Sequence, residues 1–270
     1  MSTAKSVVEP VVKSIDYLLH LADNALILGQ RNAQWCGHGP ILEEDIAMAN
    51  IGLDHIGQAR LLYQHVAALK GDGCTEDRLA YFRNPEQFRN YVLLELPHNT
   101  AFAPSAAVER DYSVTIARNF LYSSLMLLVW DALQSSQDAQ LAAIAAKSVK
   151  EVRYHLRHST DWMLRLGDGT PESHARMQAA VNYLMPYTQE FWTPSAMQLD
   201  AINAGVAVDM QPLEDRWQTS VDAVLAEATL ASPSAAGHVT RGKDGMHSEH
   251  LSYLLADMQS LARAHPEAVW

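Results

Sequence analysis

The chain has too little cysteine for cysteine to organise it: Cys36 and Cys74 are the whole complement in 270 residues. Two thiols this far apart make neither a disulfide framework nor a thiolate metal site of familiar spacing, and both read as ordinary thiols. Long apolar runs are missing too. No stretch of eighteen apolar residues occurs, and the N-terminal "MSTAKSVVEPVVKS" lacks the apolar core and small-residue cleavage site of a secretory signal. A cytoplasmic location away from membranes is therefore expected. Positive charge is scarce, with 20 Lys and Arg against 31 Asp and Glu, a formal net charge of -11. Long-range electrostatics then repel nucleic acid and anionic lipid, which excludes general affinity for either. No Gly-x-Ser-x-Gly turn occurs, so a nucleophilic hydrolase of that kind is unsupported.

What is present is apolar and helical. The chain is 48% hydrophobic with only 13 Gly and 11 Pro, enough to bury a full-sized core and free of the marks of disorder. One domain over 1–270 is expected, with the first dozen or so residues and 232–245 as loops. Apolar residues recur at three- and four-residue steps, and alternating strand patterns of any length are absent, so the fold class is all-α. The spacing predicts helices at 14–34, 41–70, 76–95, 113–135, 137–167, 171–192, 195–204, 210–229 and 247–264. Thr170 before Pro171 is a strong helix start, because the hydroxyl caps free amides and proline's missing donor costs nothing at the first helical position. A helix pair at 14–70, a linking region and a second pair at 113–167 describe a ferritin-like four-helix core with additional C-terminal helices.

Within these pairs, one helix face reads Ile41, Glu44, Met48, Ile51, His55, Gln58, Leu62, Val66 and Leu69. The comparable face of the helix at 137–167 reads Leu141, Ala145, Ser148, Val152, His155, Ser159, Trp162 and Leu166. In a ferritin-like di-iron protein each of these helices presents Glu-x-x-His and each partner helix adds a carboxylate. Those positions are His55 and Gln58 on the first helix, Val152 and His155 on the second, and Ala25 and Ser123 on the partner helices, Ser123 falling on the stripe Ile116, Phe120, Ser123, Leu127, Trp130. None is a carboxylate, so the set reads as a vestigial di-iron site with no metal and no catalytic residue. Asp54 and Glu151 stand one residue away, which turns each about 100° around its helix. Glu151 remains within reach of His155 at i and i+4.

Three stretches carry a resemblance over nearly the full length: "LGQRNAQWCGHGPILEEDIAMANIGLDHIGQAR" at 28–60, "AKSVKEVRYHLRHS" at 146–159 and "GKDGMHSEHLSYLLADMQSLARAHPEAVW" at 242–270. With them the chain resembles the structural-subunit family of the bacterial phenylacetyl-CoA epoxidases, ring-oxidising oxygenases of aerobic phenylacetate degradation. The resemblance implies a ferritin-like fold paired in a hetero-oligomer with a homologous catalytic oxygenase subunit, whose corresponding segment reads Asp-Glu-x-Gly-His where this chain has Asp54, His55, Ile56, Gly57 and Gln58. It further implies that di-iron sits in that catalytic partner, that FAD and an iron–sulfur cluster sit in an NADPH-dependent reductase, and that this chain holds no cofactor and has no activity alone. Self-association stays open.

Other features read more plainly. "HSEH" at 247–250 is a helix start or a contact between subunits, "WCGHG" at 35–39 an interhelical turn, and the loop with Pro97 and Pro104 either functional or simply variable. Arg60, Arg153, Arg157 and Lys243 are available for phosphates but scattered, and are assigned none. Two alternatives remain open. One is a stand-alone ferritin-like metalloprotein with an unconventional site from His55, His155 and Glu151 or Asp54; the other is a helical binding module unrelated to oxygenation.

Overall fold

A computed structural model of the chain describes residues 14–99, 110–233 and 236–268. The fold is all-α: the described residues contain no strand, only an isolated bridge between Arg241 and Met246. The long helices are α1 (Ile15–Ala33), α2 (Leu42–Lys70), α5 (Tyr112–Leu133), α6 (Ala139–Gly167), α7 (Pro171–Leu184), α10 (Gln211–Glu227) and α11 (Glu249–Ala264). Shorter ones are α3 (Glu76–Tyr81), α4 (Val92–Glu95), α8 (Gln189–Trp192) and α9 (Ala196–Asn203). Two long hairpins, α1 with α2 and α5 with α6, supply the elements of a ferritin-like bundle.

The chain divides into two compact units, each assembled from separated segments. The first comprises Met1–Leu96, Ser195–Val206 and Arg241–Trp270. Its α1 is buried nearly all round, polar residues such as His20, Asp23, Asn24, Arg31 and Asn32 included. α2 begins with Glu43, Glu44 and Asp45, whose charges suit the positive end of the helix dipole, and stops at Gly71, where φ is 66°. From Glu44 to Val66 every position of the expected inward stripe is buried, and only its ends, Ile41 and Leu69, are not.

The second unit comprises Pro97–Pro194 and Ala207–Thr240. The α6 stripe is buried from Leu141 to Ser159, and α5 buries Ile116, Phe120, Ser123 and Trp130. α10 is tied to α5 where Trp217 Nε1 donates to the Leu121 carbonyl at 3.2 Å. Thr170 starts α7 as expected: its hydroxyl accepts from the Ser173 amide at 3.1 Å, Ser173 Oγ accepts from the Thr170 amide at 3.0 Å, and Pro171 follows.

One expected helix is not continuous. Instead of a single element at 76–95, α3 ends at Tyr81, a 3-10 turn spans Pro85–Gln87, and α4 is a single turn. Pro85 has no amide to continue a helix and drives Asn84 into an extended conformation, ψ 162°. The bends also wrap Arg83, whose guanidinium donates to the carbonyls of Leu79 and Gln87. The element expected at 171–192 likewise breaks at Pro186, into α7, the turn Met185–Thr188 and α8. The first dozen residues, and Pro104 in the 96–105 loop, lie outside the described residues.

Candidate functional site

All six expected di-iron positions are buried. In the first unit these are Ala25 on α1 and His55 and Gln58 on α2. The two helices touch along Gly29 and Gly52. A β-carbon on Gly29 would lie 3.2 Å from the Gly52 carbonyl oxygen and from His55 Cβ, and one on Gly52 would lie 3.3 Å from the Gly29 carbonyl oxygen. That approach turns His55 and Gln58 inward. In the second unit Ser123 on α5 and Val152 and His155 on α6 are equally enclosed. Ser123 Oγ, with Ser148 Oγ and Trp130 Nε1, is buried without a hydrogen-bond partner.

This donor set does not fit a di-iron centre. Two buried divalent ions need anionic oxygen ligands to offset their charge, and a methyl, a hydroxyl, an isopropyl and a carboxamide supply none. Of the nearby acids, Asp54 is only half-buried and Glu151 Oε1 accepts from Lys147 Nζ at 2.6 Å, a pair near the helix surface. No group of three or more His, Cys, Asp or Glu side chains that could hold a metal exists among the described residues.

The most buried carboxylates of the first unit are engaged by protein donors, in a network that sequence reasoning missed. Asp23, on α1, accepts from Tyr63 Oη, from both terminal nitrogens of Arg83 and from the Arg89 amide at 2.8 Å. Burial alone would lower the Arg83 guanidinium, but Asp23 outweighs it and holds the cation well above its ordinary value. Burial and then Asp23 push the Tyr63 phenol well up. Arg83 also lies over the Phe88 ring, 4.2 Å from its centre.

Glu95, at the end of α4, accepts from His247 Nδ1 at 2.8 Å, from the Ser248 amide at 2.6 Å and from Asn90 Nδ2 at 2.8 Å. It therefore caps the start of α11 from outside the helix. Arg31 donates to the Glu95 backbone carbonyl. Burial would lower the His247 imidazole; the hydrogen bond and charge of Glu95, with the Phe88 carbonyl, override this and raise it. His250 is lowered, by burial and then by Arg31. His20, fully buried against the Arg89 carbonyl, is lowered to about 3 by burial, with Lys243 adding to the effect. Lys243 itself is buried, and its Nζ donates to Gln198 Oε1 at 2.7 Å. These pairings join residues as much as 159 positions apart, and "HSEH" and Lys243 are the only parts of them that the sequence flagged.

The remaining flagged residues have ordinary surroundings. "WCGHG" is the turn between α1 and α2, with Trp35 buried and Cys36 exposed. Arg60 pairs with Glu76 at 2.9 Å, Arg157 lies over Tyr154, and Arg153 is exposed.

Comparison with known proteins gives this arrangement its context. Residues 3–270 match the family of phenylacetic acid catabolic proteins, PaaA_PaaC. The chain belongs to this family. It is 42% identical over 254 residues to a protein of Escherichia coli (strain K12) named as one of the subunits of 1,2-phenylacetyl-CoA epoxidase, a match that covers 94% of this chain and 98% of that relative. In this member of the phenylacetic acid catabolic proteins, the stretch at 242–270 that carries the resemblance begins with the clasp just described. Gly245, with φ 83°, and Gly242 press against the backbone of Glu86 and Asn90, where any side chain would collide. Their turn delivers Lys243, His247 and Ser248 to their partners. No helix among the described residues is long and apolar enough to cross a membrane.

Proposed function

We propose that this family member is the structural, non-catalytic subunit of a phenylacetyl-CoA epoxidase, which docks and stabilises a homologous di-iron catalytic subunit. The observation that carries the reading is that Ala25, His55, Gln58, Ser123, Val152 and His155, the expected di-iron positions, are all buried and include no carboxylate. A core so built folds without metal, because no uncompensated anion is buried in it. The most buried acids of the first unit, Asp23 and Glu95, already hold arginine, histidine and backbone donors, and Glu190 of the second accepts from Thr240 Oγ1 at 2.9 Å. On this reading oxygen activation belongs to the catalytic partner, and FAD and the iron–sulfur cluster to a reductase that draws electrons from NADPH. His55, Gln58 and His155 serve packing and internal polar contacts.

The alternative of a stand-alone metalloprotein with an unconventional His/Glu site gains little support, since no cluster of three potential ligands stands among the described residues. Reconstitution tests the proposal. The purified chain is expected to turn over no phenylacetyl-CoA with reductase and NADPH, to form a stable complex with the catalytic subunit, and to raise that subunit's activity or lifetime. Failure to form the complex would remove the docking role, and turnover by the chain alone would remove the non-catalytic one.

A further inference from the structure

Helix α2 has two apolar faces, of which only one is covered by the described residues. Opposite the inward stripe, Leu42, Ile46, Ala49 and Leu53 follow one another at steps of four and three residues, with Ile41 beside them and Ile56 at the edge, where its side chain also reaches the α1 crossing at Gly29. Leu42 is 72% exposed, Leu53 66%, Ile46 53%, Ile41 51% and Ile56 37%. Together these side chains leave on the order of 500 Å² of apolar surface, near the upper limit for a patch on a monomer with no further role. Helix length does not explain it. α6 has the same 29 residues, yet its outward face carries Lys147, Lys150, Arg153, Arg157 and Asp161, with Tyr154 its one large exposed apolar side chain.

Gly57 is a second, independent observation on the same face. It stands mid-helix, half-exposed, with ordinary helical backbone, and a β-carbon there would meet nothing within 4 Å. Glycine in a helix interior costs about 1 kcal/mol relative to alanine. At Gly29 and Gly52 the chain's own close helix crossing requires it; at Gly57 nothing among the described residues does. A backbone approaching from outside would.

We propose that this outward face of α2, from Leu42 to Ile56 with Gly57 at the point of closest approach, receives a helix of the homologous catalytic subunit. The inference rests on the docking role proposed above and names its surface. A stripe of four- and three-residue steps about 21 Å long matches a helix rather than a small ligand. The chain's own segment at 1–13, "MSTAKSVVEPVVK", supplies two valine pairs broken by Glu9 and Pro10, which is no matching stripe. A second copy would bring another net -11 and the same acids flanking the stripe, Glu43 and Asp54 on one side and Asp45 on the other, while Arg60 is already held by Glu76. A different chain with lysine or arginine beside its apolar stripe is complementary.

The test uses the full chain and the catalytic subunit, with Leu53→Glu, Gly57→Leu and Gly57→Ala. Leu53→Glu and Gly57→Leu are expected to weaken the complex at least ~30-fold while leaving the melting temperature of the isolated chain nearly unchanged. Gly57→Ala is expected to raise that melting temperature and still weaken the complex, opposite signs that no folding defect produces. Unchanged affinity in all three variants would overturn the surface and leave the docking role intact. No complex with the wild-type chain would sink both. A homodimer of the isolated chain that Leu53→Glu dissociates would assign the face to a second copy and overturn the proposal.

Discussion

Replacing Glu95 by glutamine should loosen the start of α11, and should do so most at low pH. The Glu95 carboxylate receives three buried donors, from His247, Ser248 and Asn90, and is itself inaccessible to water. A carboxamide of the same shape offers one acceptor oxygen and brings two donors of its own, so at least one of the three loses its partner. Loss of a hydrogen bond to a charged group, plus one unsatisfied buried donor, is worth about 3 kcal/mol. The pH dependence follows from His247, whose folded pKa is raised. Its contribution is fully present below its unfolded value of about 6.5 and is lost as pH rises through the folded value. His20 and His250 are lowered and act oppositely, withdrawing stability as pH falls below about 6.5. His20 drops out of the difference between wild type and variant, while His250, which Glu95 pulls upward as it does His247, adds to it in the same direction as His247. Amide exchange protection across α11 and residues 86–96 should fall in Glu95→Gln. The deficit should shrink, without vanishing, as pH rises from below about 6.5 through the raised folded value of His247. A deficit that grows with pH, or equal protection at the acidic end, would refute the reasoning.

Three further outcomes follow from the same geometry. Asp23→Asn leaves Arg83 buried beside a neutral group and should destabilise the first unit by about 3–5 kcal/mol in urea unfolding, against well under 1 kcal/mol for the exposed control Asp257→Asn. Gly52→Val drives a branched side chain into the Gly29 carbonyl and should cost about 3 kcal/mol or more in the same measurement, whereas Gly57→Val, on ordinary helical backbone with no atom within 4 Å of the added β-carbon, should cost less. The double change His55→Glu with Gln58→His should still bind no pair of irons, because Ala25, Ser123 and Val152 supply no carboxylate; two irons by elemental analysis would show that these are the wrong positions.

The inward stripes of α2 and α6 were legible because a helix repeats its neighbours every three or four residues, and that period survives in a single sequence. His55 and His155 could be placed inside on that ground alone, and burial agrees. The interruption at Pro85 was hidden by the apolar residues around it, although proline itself was a visible breaker. The pairs Asp23 with Arg83 and Glu95 with His247 could not be read at all. Their members stand 60 and 152 positions apart, and no local pattern marks which buried charge meets which. The outward stripe of α2 is in the sequence too, yet a helix apolar on both sides gives no sign of which side faces water.

The most direct test is the iron content of this chain purified alone after iron loading, compared with that of its complex with the catalytic subunit. Negligible iron alone and two irons per heterodimer, all lost when the catalytic subunit is removed, are the expected results. Two irons per chain in the isolated protein would contradict the assignment of Ala25, His55, Gln58, Ser123, Val152 and His155 to a vestigial site, and with it the structural role.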